Sequence, residues 1–147
     1  MKHCALLILA FTLAAATAQA RLGETVDEIA KRYGPSTSGL YPVEYIRRDY
    51  GDRQALYEKD DIKILIVYKA DKSQYESLSK KDPTKYLSRS EIKAFVEANA
   101  GGSTWPNPKE TPDGKLWIRQ DGNALAVLTP DHKTLTVKIT QGGTKGF

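Results

Sequence analysis

The chain has 147 residues, one cysteine, and a formal net charge of +4 from 22 basic and 18 acidic side chains. That length makes one domain. The basic residues are dispersed, with short clusters only at Arg47-Arg48 and Lys80-Lys81, whereas nucleic-acid binders concentrate a basic face with stacking aromatics, so nucleic acid is set aside as a partner.

Residues 1–20 have the form of a secretory signal peptide. Lys2 and His3 make a short polar start, the apolar run at 5–16 (ALLILAFTLAAA) is too short to span a bilayer, and Ala18-Gln19-Ala20 is a small-x-small cleavage site. Cleavage between Ala20 and Arg21 leaves 127 residues with a charge of +3 and no cysteine. Export is thus expected, to the periplasm or beyond, with no membrane span in the mature chain. Cys4 precedes the apolar run, which argues against a lipid anchor. Without disulfides, stability must come from an ordinary hydrophobic core.

Residues 22–34 (LGETVDEIAKRYG) predict a helix. Thr25 and Glu28 can form a reciprocal capping box, Val26, Ile29, Ala30 and Tyr33 make an apolar face, and Gly34-Pro35 ends it. Residues 43–49 and 53–58 read as strands. Residues 62–69 (IKILIVYK) are apolar on both faces, as a central strand is. Residues 74–79 are polar and weakly patterned, and read as an edge strand.

Residues 87–102 (LSRSEIKAFVEANAGG) predict a second helix. Ser88 and Glu91 form the cap, Leu87 and Ile92 the hydrophobic staple, and Ile92, Phe95, Val96 and Asn99 fall at i, i+3, i+4 and i+7 on one face. Such a helix needs a partner surface, and only strands can provide one. Residues 103–114 hold Trp105 and three prolines, which predicts a long irregular loop. A three-stranded meander follows at 116–120, 124–129 and 134–140, with Asp121-Gly122 as a hairpin turn and a glycine-rich tail after it. The fold expected is α+β: two helix-plus-antiparallel-meander units, about 21–80 and 86–141, with the helices packed on one face of a continuous antiparallel sheet.

The opening LGETVDEIAKRYG, the strand IKILIVY, the helix LSRSEIKAFVEANAGG, Trp105 and the closing LWIRQDGNALAV…LTVKI resemble a group of small exported bacterial proteins of unknown function. More distantly, a capped helix ending in Gly-Pro before an antiparallel meander is similar to the SmpA/OmlA (BamE) family. Doubled, it is similar to the β-lactamase inhibitor protein layout. The resemblance implies an envelope scaffold, or a protein that binds another protein on its sheet. This chain has neither a cysteine following the apolar run nor cysteines for a disulfide in the mature part.

Catalytic signatures are sparse. The one histidine of the mature chain, His132, falls in a turn beside Asp131 without a nucleophile in sequence. Ser77-x-x-Lys80 and Ser90-x-x-Lys93 match a serine–lysine pattern, but its companion motifs are missing. One histidine and no cysteine leave a transition-metal site close to excluded; the turn aspartates offer oxygens for calcium but lack the spacing of a calcium loop. No cofactor is expected. Trp105 and Tyr41, both in loops, are the candidate contact residues for a partner protein in the envelope, since tryptophan and tyrosine are favoured interface anchors. The alternative, a small exported hydrolase, would need two carboxylates that converge in a cleft only on folding.

Overall fold

The computed structural model describes residues 21–140. The leader at 1–20, with the Ala20 side of the cleavage site, and the tail at 142–147 lie outside the described residues. Both expected helices form, each opened by its capping box. The Thr25 hydroxyl accepts from the Glu28 amide at 3.2 Å and the Glu28 carboxylate accepts from the Thr25 amide at 2.8 Å, starting α1 (Val26–Tyr33). Ser88 and Glu91 repeat the exchange at 3.2 and 2.7 Å to start α2 (Arg89–Ala98). A cap contributes about 1 kcal/mol. Burial of Ile92, Phe95 and Val96 contributes roughly 2 kcal/mol each, so packing dominates in holding α2.

Among the described residues eight strands form one open antiparallel sheet: β1 (Tyr41–Pro42), β2 (Arg53–Lys59), β3 (Ile62–Lys69), β4 (Lys72–Lys80), β5 (Lys109–Thr111), β6 (Gly114–Ile118), β7 (Ala124–Leu128) and β8 (Thr134–Ile139). Their order is β1-β2-β3-β4-β8-β7-β6-β5. Two meanders, each paired in chain order, therefore meet through their last strands, where Glu76 of β4 faces Val137 of β8 and Leu78 faces Leu135. The outer strands have only two and three residues, which blunts both edges against pairing with another chain. Ile29 and Tyr33 of α1, the three apolar residues of α2, and strand residues such as Ile66, Leu78 and Val137 bury into one core cluster. Among the described residues no helix is long and apolar enough to cross a membrane.

The structure corrects the local reading in three places. The expected strand at 43–49 is instead a 3-10 helix over Tyr45–Tyr50. Residues three apart eclipse in such a helix, so Arg47 and Tyr50 both reach Tyr75 on β4, at 5.8 and 5.4 Å between centres, which a strand would not permit. The polar segment at 74–79, expected at an edge, belongs to β4 in the sheet interior, because β8 returns from the far end of the chain to pair with it. Its core-facing positions include Ser73 and Glu76, which hide the alternation that would have marked it as buried. The proline-rich loop at 103–114 contains β5, whose ladder to β6 starts at Lys109, just after Pro108, and ends at Thr111, just before Pro112.

Candidate functional site

A cavity of about 430 Å³ lies between α2, the 103–108 loop and β6–β7. Its floor is apolar, formed by Leu87, Ile92 and Val96 from the helix and its staple and by Leu128 from β7. Trp105 and Trp117 line it as well, both half-buried and packed against the core. Trp117 pairs across the ladder with Ala126, a small residue on β7.

The loop that carries Trp105 is pinned at several points. The Gln120 amide donates to the Thr104 carbonyl at 2.9 Å, and the Thr104 hydroxyl bonds the Gln120 side chain at 2.6 Å. The Arg119 guanidinium donates to the Asn99 carbonyl at 3.0 Å and to Asp121 at 2.9 Å, and lies 5.9 Å from the Trp105 ring centre. Arg119 thereby ties the end of α2 to the tryptophan. Such a groove is already formed before anything binds, which lowers the ordering cost of binding.

The rim is cationic. Arg89, Lys93 and Lys115 line it against a single carboxylate, Glu97, with His132 exposed at the turn before β8. Lys93 meets Glu97 at 3.7 Å and Lys115 meets Glu110 at 3.2 Å, both exposed pairs worth little. Just outside, Tyr86 is 63% exposed with the Lys133 ammonium 5.5 Å from its ring centre.

Of the two contact residues expected from sequence, Trp105 lies in this groove and Tyr41 does not. Tyr41 is half-buried on β1, paired with Gln54 at the opposite end of the sheet order from β6. At about 4.8 Å per strand the two are separated by roughly 25–30 Å of sheet. Trp117, which its strand position marks for packing, shares the groove with Trp105. Arg89 and Lys93, to which the sequence assigns no binding role, form its rim.

A second polar cluster lies near the seam between the two meanders. Glu76 is fully buried on β4, and Asn99, which ends α2, points its side-chain nitrogen at it from 3.5 Å. The Asn99 side-chain oxygen accepts from the Leu22 amide at 2.7 Å. Burial pushes the Glu76 carboxyl up to about 8. The Ser73 hydroxyl and the Asn99 amide pull the other way, nearby Glu24 adds to the rise, and Arg32 opposes it. Arg32 is ion-paired with Glu24. Glu24 and Asn99 line a smaller cavity of about 340 Å³, together with Arg21, Lys72 and Arg119, whereas Glu76 lines neither cavity. No group of three or more His, Cys, Asp or Glu side chains is arranged to hold a metal among the described residues.

Comparison with protein-family models, curated proteins and solved structures finds no match to this chain.

Proposed function

We propose that this chain is an exported, non-enzymatic binding module that holds a protein partner in the bacterial envelope through the groove at Trp105 and Trp117. The observation that carries this reading is the groove itself: a preformed cleft with an apolar floor and two indoles, in a size range that suits recognition. Export follows from the leader-like 1–20 segment, with cleavage before Arg21.

The layout proposed around the groove is two helix-plus-meander units with both helices on one face of the sheet. The register row Ala55, Ile66, Glu76, Val137, Ala126 supports it, since these residues are all buried and four of them share a core cluster with both helices. Each unit is the arrangement that the resemblance to the SmpA/OmlA (BamE) family implies, and the doubled layout is the one that the β-lactamase inhibitor protein resemblance implies. The hydrolase alternative has its nearest support in Glu24 and Glu76, and enclosure of Glu76 weighs against it.

The test is affinity capture from envelope extract with wild-type protein, Trp105→Ala and, as a control at an exposed tyrosine outside the groove, Tyr45→Ala. A partner held by wild type and Tyr45→Ala but lost with Trp105→Ala supports the reading, provided thermal melts show that the variant stays folded. Equal capture by folded Trp105→Ala removes it.

A further inference from the structure

The groove combines two features that are seldom useful together without a ligand that has both: an apolar, indole-lined floor and a rim of cations in excess. Lys93 and Lys115 are engaged only by exposed carboxylates at 3.7 and 3.2 Å, which exchange readily with water or with a ligand's carboxylate. Arg89 has no carboxylate partner among the described residues. It also stands in the first turn of α2, where the helix dipole favours negative charge and where it therefore opposes the local field. The neighbouring Lys133, seated on exposed Tyr86, extends the cationic surface past the groove.

We infer that the segment held in the groove is an acidic peptide, with a bulky apolar side chain between Trp105 and Trp117 and flanking carboxylates meeting Arg89, Lys93 and Lys115. This rests on the groove being the binding site. The chemistry divides by position: the floor supplies area, while the rim selects sign and speeds encounter. Exposed pairs such as Lys93–Glu97 give way at small cost, so the rim can re-pair with an incoming carboxylate.

The chain's two tryptophans are both in the groove, so intrinsic fluorescence reads the site directly. Short blocked peptides with a shared Leu-Phe centre, flanked by glutamate, serine or lysine, are titrated into the full chain. The glutamate peptide is expected to shift the emission and bind at least about tenfold more tightly than the lysine peptide. That advantage should shrink between about 0.05 and about 0.5 M salt. The double variant Arg89→Glu/Lys93→Glu, altered only at exposed helix positions, should reverse the order. A serine peptide binding as well as the glutamate peptide overturns the acidic inference and leaves the groove standing as the site. No response to any peptide overturns the groove as a peptide site altogether. Self-association that buries the tryptophans would assign the groove to a second copy and overturn the proposal as well.

Discussion

The side-chain amide of Asn99, at the end of α2, lies 3.5 Å from the buried carboxyl of Glu76 at the middle of β4. Asn99 falls on the apolar stripe of its helix yet is only 2% exposed, because it serves Leu22, Phe95 and Glu76 at once. The two residues couple the end of the second helix to the strand where the two meanders meet.

Burial of the Glu76 carboxyl makes stability depend on pH. Burial raises the Glu76 carboxyl from an ordinary 4.5 to about 8, so the folded chain holds a proton there that the unfolded chain releases above about 4.5. The contribution is complete below the unfolded value and is lost as pH rises through the folded one. Wild-type protein should lose on the order of a few kcal/mol between these limits. Glu76→Gln should be nearly flat across the same window. Urea midpoints measured through the window check this, and a wild-type curve as flat as the variant's would contradict it.

Lys80 acts in the opposite direction. Its ammonium meets Asp61 at 2.7 Å and also pairs with Glu91, the residue that caps α2. The Lys80 hydrogen bond holds Asp61 below the ordinary carboxylate range. Partial burial pushes Glu91 up, but Lys80 and Ser88 more than offset it, so Glu91 is also lowered. Groups lowered on folding stabilise above their unfolded values and lose that contribution as pH falls. Lys80→Met should cost about 1–3 kcal/mol near neutrality and less in acid, as read by thermal melts at the two pH values.

Two turns carry backbone strain of opposite remedy. Ala70 and Asp71 join β3 to β4 with φ of 48° and 63°, the left-handed region that a type I′ hairpin requires and alanine disfavours. Ala70→Asn should stabilise by roughly 0.5–1 kcal/mol, visible as a higher denaturant midpoint with an unchanged slope.

Gly114, the first residue of β6 at φ 113°, admits nothing larger: an added Cβ would sit 1.9 Å from the Leu128 carbonyl oxygen. Gly114→Ala should cost about 3 kcal/mol or more. It should also disturb Lys115 and Trp117, which follow directly on β6, so tryptophan emission ought to shift in the folded variant.

The local signals were the legible ones. Ser88 with Glu91 and Thr25 with Glu28 announced both helices, since a capping box is written within four consecutive residues. The run at 62–69 announced β3 because it is apolar on both faces. The sequence of β4 looks like an edge because its pairing with β8 joins positions some sixty residues apart, Tyr75 to Lys138 among them, and no local pattern encodes that. Glu76 hides for the same reason: a glutamate in a polar stretch announces solvent unless the strands on both sides are known. Of the candidate site, Trp105 stood out in its proline-rich loop. Trp117, Arg89 and Lys93 became its companions only when α2 came to lie beside β6.

The account stands or falls on the groove as the place where a partner is held. A photo-crosslinking amino acid placed at exposed Asn107 on the groove, and in a second strain at exposed Tyr45 on the 3-10 helix, tests this in the native envelope. The account predicts a discrete protein adduct from position 107 that the Trp105→Ala change abolishes, and none from position 45. An adduct from position 45 with none from position 107 would contradict it.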